Sequence, residues 1–102
     1  MLTLILAAVA LAGIACIVVA LLGWSRIIDW FRSFFANKNR IKDMDDIAFT
    51  IKTQIDNGNV KVVQGVFNKI SEEIEDGIQY EAERLDDKLE GYHRDNELVV
   101  YE

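Results

Sequence analysis

The sequence predicts an α+β protein with a single N-terminal transmembrane helix, an amphipathic interfacial helix, and a small antiparallel sheet with one helix. Residues 2–23 carry no charged side chain, and residues 24–37 are apolar on one side only. In residues 43–102, short segments alternate apolar and polar side chains. Beyond the apolar segment, a chain of 102 residues has room for one small domain, which excludes a large enzyme core.

The first element, residues 2–24, is predicted to span a membrane. As a helix it is about 34 Å long, and the hydrocarbon core of a bilayer is about 30 Å thick. A helix packed at the surface of a small domain would have a polar side, and this segment has none. No basic residue precedes it, and it is longer than the apolar part of a signal peptide, so we expect an uncleaved anchor in the lipid bilayer.

Charge is distributed unevenly, and this predicts the topology. Up to Lys42 there are five cations and one anion (net +4), whereas from Asp43 onward there are six cations and sixteen anions (net −10). Basic residues beside a span stay in the cytoplasm. We therefore expect a single-pass protein, with its N-terminus outside and residues 43–102 in the cytoplasm, typical of a bacterial inner membrane. The acidic domain disfavours nucleic acid as a partner.

Small residues recur at every fourth position of the predicted span: Ala8, Ala12, Cys16 and Ala20. Such a row lets two membrane helices approach closely, which predicts packing against a membrane protein partner or a second copy. Because nearly half of the span is small residues, the same spacing also arises by chance. Cys16 is the only cysteine, so an intrachain disulfide is excluded.

Residues 25–42 are predicted to form a basic collar at the membrane interface. In a helix that begins at Trp24, the apolar side chains fall within an arc of about 120°, and the arginines lie on the opposite side. Basic residues beyond the helix then meet anionic headgroups. The alternative is that the aromatic side packs against another subunit. The predicted interface residues are Trp24, Arg26, Ile27, Ile28, Trp30, Phe31, Arg32, Phe34, Phe35, Lys38, Arg40 and Lys42.

Two assignments compete for residues 43–102. Apolar residues near a 3.6-residue spacing indicate a long amphipathic helix or coiled coil, whereas alternation predicts strands at 47–55, 60–67 and 74–81. The Asn57-Gly58 pair favours a two-residue hairpin turn that sets Phe49 opposite Val66. We therefore expect the strands. A short helix over 83–93 and a last strand over 98–101 complete the domain.

The sequence offers few groups for catalysis or metal binding. His93 is the only histidine and Cys16 lies in the predicted span, so we expect no Cys–His pair and no site built from several of these ligands. The cluster of Asp43, Asp45 and Asp46 lacks the glycine and glutamate of an EF-hand loop. We expect no catalytic residue, no cofactor and no metal.

The densest acidic run predicts either a solvated surface or a docking site for a basic protein partner. It consists of Glu72, Glu73, Glu75 and Asp76. The function expected from this layout is that of a membrane-anchored accessory or adaptor subunit that binds a partner through its acidic domain without catalysis. Anchoring raises the effective concentration of a weakly bound partner.

A second class of function is structural. In this hypothesis many copies pack through their N-terminal helices in a membrane-derived assembly, as a filament or in a lipid-containing virion. A hydrophobic N-terminal helix before a small β-rich domain resembles the layout of pilin-like subunits. Those usually carry an acid at the fifth position, which is Ile5 here. A small phage-type lysis or host-interference protein is the third hypothesis.

Overall fold

The computed structural model describes residues 2–37, 45–55 and 58–101. This part of the chain forms a small sheet-rich domain with five strands and three short helices. One mixed sheet has the strand order β1-β4-β3-β2-β5, in which β1 pairs parallel with β4 and the other pairs are antiparallel. The elements are α1 (Leu2–Ala12), β1 (Cys16–Leu22), α2 (Trp24–Asn37), β2 (Asp46–Gln54), β3 (Val60–Asn68), β4 (Glu73–Leu85), α3 (Asp87–Tyr92) and β5 (Leu98–Tyr101).

The predicted transmembrane helix over residues 2–24 is wrong. Its first half is α1, and the chain leaves the helix at Gly13, whose φ of +62° lies in the left-handed region that glycine adopts without strain. The second half is β1, which contains the β-branched residues Ile17, Val18 and Val19. A uniformly apolar run has no periodicity that distinguishes a helix from a strand, so the pattern was ambiguous.

Among residues 2–37, 45–55 and 58–101, no helix is long and apolar enough to cross a bilayer. The predicted single-pass topology, with the N-terminus outside and residues 43–102 in the cytoplasm, is therefore wrong. The fold-class prediction is also wrong in calling the sheet antiparallel, because β1 runs parallel to β4.

The helix predicted to begin at Trp24 is present as α2, but the sheet covers its apolar side. Ile27, Phe31 and Phe34 are buried in the core between α2, α3 and one face of the sheet. The interfacial placement is therefore corrected: the apolar arc packs in the core of the domain and does not lie in a headgroup layer. Its partners in that core are Leu22, Val62, Val66, Tyr80, Ala82, Leu85 and Leu89.

Helix α1 covers part of the opposite face of the sheet. Ile5 and Ala8 pack there with Phe49, Val63 and Phe67. Strand β3 is thus covered on both faces, and its residues from Val62 to Asn68 are all buried. Burial on both faces explains why this strand is almost continuously apolar.

A buried glutamine fixes α2 to the sheet. The Gln64 side chain is fully buried; its Nε2 donates to the carbonyl oxygen of Ile27 at 2.6 Å, and the Tyr80 hydroxyl donates to its Oε1 at 2.9 Å. Burial raises the pKa of Tyr80. Both polar groups of the amide are satisfied, as a buried side chain of this kind requires.

The strands predicted at 47–55, 60–67 and 74–81 correspond to β2, β3 and β4, but the predicted hairpin register is wrong by one residue. Phe49 pairs with Gly65 and not with Val66. The loop is longer than a two-residue turn: Gly58 N donates to Ile55 O at 3.0 Å, and Gly58 has a φ of +87°. Asn57 lies outside the described residues.

Candidate functional site

The four small residues predicted to pack together are not brought together. Ala8 is buried against the sheet, and Ala12 is exposed at the end of α1. Cys16 and Ala20 lie on β1, where both are exposed and point to the same side of the strand. The four residues therefore do not share one helical face, because α1 ends at Ala12 and Cys16 begins β1.

The acidic run lies beside the end of α1, a proximity that the sequence did not predict. Glu72, with a φ of 56°, ends the turn before β4, and Glu73 begins that strand. One shallow groove is lined by Ala8, Ala12, Glu72, Glu73 and Ile74. Glu75 and Asp76 line a second depression against residues 12–15. Glu72, Glu73 and Asp76 are exposed, whereas Glu75 is half-buried, and docking of a basic partner there stays a prediction.

The predicted interface residues divide by side of α2. Arg26 and Arg32 are exposed on its outer side, whereas Trp24, Ile28, Trp30 and Phe35 are partly buried. Trp30 stacks on Phe34 with ring centroids 5.6 Å apart. Lys38, Arg40, Lys42 and Asp43 lie outside the described residues.

A hydroxyl–imidazole pair lies between β2, β5 and the end of α3. Thr50 Oγ1 is 2.7 Å from His93 Nε2 and 2.6 Å from the Tyr101 hydroxyl, and His93 Nδ1 is 2.9 Å from the carbonyl oxygen of Asn96. Because that carbonyl only accepts, we assign the proton of neutral His93 to Nδ1. Nε2 then accepts from Thr50, whose oxygen accepts from Tyr101.

This geometry resembles an activated nucleophile, but its burial excludes a substrate. The exposed fraction is 0% for Thr50 and 4% for His93, so no reacting atom can approach the hydroxyl. The network instead ties β5 and the end of α3 to β2. Burial, partly offset by the Asn96 carbonyl, lowers the pKa of His93, and burial raises the pKa of Tyr101.

The lowered pKa of His93 predicts that acid weakens the fold. Between the folded pKa and the ordinary value of about 6.5, the unfolded state binds more protons, so stability rises with pH across that window and is lost as pH falls through it. Lys52 adds to the lowering, and Glu90 opposes it. Urea unfolding at pH 7.5 and 5.5 should show a larger loss for the native chain than for His93→Gln. Equal losses in both proteins would contradict this role of His93.

The most distinctive surface is the open edge of β1, the strand that ends the sheet among the described strands. Gln79 N donates to Ala15 O at 2.9 Å, and Cys16 pairs with Gln79. Peptide groups alternate along a strand, so Ile17 points its N–H and C=O groups toward β4 at the start of β1; the alternation changes toward the end of the strand, where Leu22 O accepts from Asp86 N. The peptide groups of Cys16 and Val18 therefore point to the open edge.

The side chains at this edge are apolar and accessible. Val18 is 72% exposed, Leu21 47% and Ile17 37%. Natural edge strands usually avoid pairing through lysines, prolines or bulges, and the seven residues of β1 have no charge and no proline. At the other edge, β5 has only four residues. The signals that could have revealed β1 in the sequence are Gly13 and the β-branched run that follows it.

Within the described part of the chain, no group of three or more His, Cys, Asp or Glu residues is placed to hold a metal ion. No family model, no curated protein and no solved structure matches the chain.

Proposed function

We propose that the protein is a non-catalytic binding module that takes up an extended apolar segment of a partner protein as an additional strand along β1. The observation that carries the proposal is the open edge of β1, seven uncharged residues long with Val18 largely exposed. In strand addition, backbone hydrogen bonds supply affinity and alternate side chains supply specificity. The proposal keeps a partner-binding role and places it on the N-terminal segment.

The support of β1 by the domain favours this role. Strand β4 pairs with it from Cys16 to Leu22, and the Leu22 side chain is fully buried. The edge is therefore already in the extended conformation that a partner strand needs. Only the incoming segment loses conformational freedom on binding, which lowers the entropic cost of association.

A synthetic peptide tests the proposal directly. A short valine-rich peptide flanked by lysines should bind the full chain saturably in fluorescence anisotropy, measured at protein concentrations low enough to limit self-association. The same peptide with two N-methylated edge-facing amides loses two hydrogen bonds of about 1 kcal/mol each, so it should bind about 30-fold more weakly. Equal affinity for the two peptides would show a nonspecific hydrophobic contact without backbone hydrogen bonds, and would refute strand addition.

Charge placed on the edge should also block the peptide. We expect Val18→Lys to weaken binding about tenfold or more, because a charged side chain at a sheet edge opposes pairing. The matched control is Val100→Lys on β5, where the native valine is 42% exposed at the opposite edge. That variant should bind like the native chain. A similar loss in both variants would place the peptide elsewhere.

A further inference from the structure

We infer that β5 is released by acid: protonation of His93 detaches residues 98–101 from β2 while the rest of the sheet stays folded. This release takes place at the edge of the sheet opposite β1, so it does not depend on the proposed function. Protonation of an imidazole is a common trigger of conformational change near neutral pH. Acid thereby uncovers the outer edge of β2 at residues 48–51, where β5 is paired in the closed form.

The hydrogen-bond chain at His93 has no place for a second imidazole proton. In the neutral state His93 Nδ1 donates to the carbonyl oxygen of Asn96, and Thr50 Oγ1 donates to His93 Nε2. The Tyr101 hydroxyl donates to Thr50 Oγ1, so three donors meet three acceptors. A protonated His93 brings a fourth donor to the same three contacts. The hydroxyl of Thr50 or of Tyr101 then loses its acceptor, and an unsatisfied buried donor destabilises the closed form.

The charges around His93 do not compensate for its burial. Lys52 of β2 opposes a positive imidazole, and Glu90 of α3 favours it, but the Glu90 carboxylate is bound to Lys52 Nζ at 2.6 Å. Tyr101, the titratable group on β5, has a raised pKa and stays neutral. Burial is the largest cause of the lowered pKa of His93. Water that reaches the ring after β5 leaves returns this pKa toward its ordinary value of about 6.5, so protonation favours the open form.

Strand β5 is held less firmly than the other described strands. It has four residues, none of them buried, and it pairs with β2 alone, whereas β3 is paired on both sides and largely buried. Short, exposed elements open locally more readily than buried strands. Residues 94–97 connect His93 to β5, so detachment moves the Tyr101 hydroxyl and the Asn96 carbonyl away from the ring. Water can then satisfy all four donors.

Hydrogen exchange of the full chain, followed by mass spectrometry, tests this release at pH 7.5 and 5.5. Peptides that cover β5 are compared with peptides that cover β3, after correction for the intrinsic exchange rate at each pH. The opening constant of β5 should rise up to about tenfold between the two pH values, because the open form binds a proton with a pKa of about 6.5. Low urea concentrations should leave this constant nearly unchanged, since local opening exposes little surface.

The comparison of the two strands in the native chain needs no variant. We expect β5 to exchange faster than β3 at both pH values. The same corrected rate and the same urea dependence in both strands would show that β5 opens only with the whole domain, and would overturn the inference. An opening constant of β5 that is equal at pH 7.5 and 5.5 would also overturn it.

His93→Gln tests the trigger, because glutamine stays neutral in this range and keeps a donor and an acceptor. The opening constant of β5 in this variant should not depend on pH. An equal acid response in the native chain and in His93→Gln would assign the trigger to another group and overturn the inference. His93 is the only histidine, so its titration can also be followed by NMR in the native chain if the variant does not fold. A midpoint at or above 6.5 in the folded protein would contradict release by protonation of this ring.

Discussion

Replacing Gly65 with alanine should lower the free energy of unfolding by about 2–3 kcal/mol, near the upper end for overpacking in a core. A Cβ atom at this position would lie 2.8 Å from the carbonyl oxygen of Asp76 and 3.1 Å from the ring of Phe49. The first contact is with the backbone of the paired strand β4. The second is with a fully buried ring between α1 and the sheet. Neither neighbour can move away without breaking strand pairing or core packing.

The matched control is Gly91→Ala in α3. A Cβ there has no heavy atom within 4 Å, and alanine favours a helix over glycine by about 0.5–1 kcal/mol. We expect Gly91→Ala to be as stable as the native chain or slightly more stable. Urea unfolding of the three proteins, compared at equal m-values, measures the difference. If Gly65→Ala unfolds at the native midpoint, Gly65 does not lie under Phe49.

The role of Gly65 shows what the sequence could predict and what it could not. Gly65 and Gly77 would each cost the interior of a helix about 1 kcal/mol, and both lie in strands. Their pairing opposite each other depends on the register of β3 with β4, which local sequence does not specify. The position of the Phe49 ring over Gly65 depends in turn on the β2–β3 register.

The error of one residue in that hairpin has a physical cause. A slip of one residue moves every side chain to the other face of a sheet, so a single buried face normally specifies the register. Here both faces are covered by helices. Ile47, Phe49 and Ile51 are buried toward α1, while Val62 and Val66 are buried toward α2. Alternation alone therefore placed these two apolar sets on the same face, although the structure separates them.

The transmembrane helix predicted for the N-terminal segment was wrong for a different reason. Its strand content was masked by an apolar composition with no polar residue between α1 and β1, so only Gly13 marks the boundary. The strands in the acidic half were predictable because charged residues bound them and β-branched residues fill them; residues 98–101 are an example. The charged residues that flank these strands, more than their hydrophobicity, made it possible to assign the strands from the sequence.

The candidate site, the open edge of β1, could not be predicted from the sequence because it depends on the topology of the sheet. The edge exists because β1 pairs parallel with β4, about sixty residues further along the chain, while no described strand lies on its other side. The same long-range pairing places Glu72 and Glu73 beside Ala12. Local patterns named these residues as candidates but could not say which of them would share a surface.

A second large effect is expected at Asp86, which caps two helices at once. Its Oδ2 accepts from Trp24 N at 2.8 Å at the start of α2, and its Oδ1 accepts from Leu89 N at 2.9 Å in the first turn of α3. Each cap contributes about 1 kcal/mol, so Asp86→Ala should lower the free energy of unfolding by about 2 kcal/mol. The backbone bond from Asp86 N to Leu22 O does not depend on the side chain.

Partial replacement separates the two caps. Asp86→Asn keeps one accepting oxygen and turns the other position into a donor that faces an N–H group, so we expect about half the loss. The neighbouring Asp87→Ala removes an exposed carboxylate from the same turn and should change stability by no more than about 0.5 kcal/mol. Trp24 stacks on Tyr92 at 4.7 Å, so loss of the α2 cap should also alter tryptophan fluorescence in Asp86→Ala. Equal stability of Asp86→Ala and Asp87→Ala would mean that the two helix starts do not share this carboxylate. In that case α2 would need another fixed point, and Gln64, whose Nε2 donates to the Ile27 carbonyl at 2.6 Å, is a polar contact able to provide it.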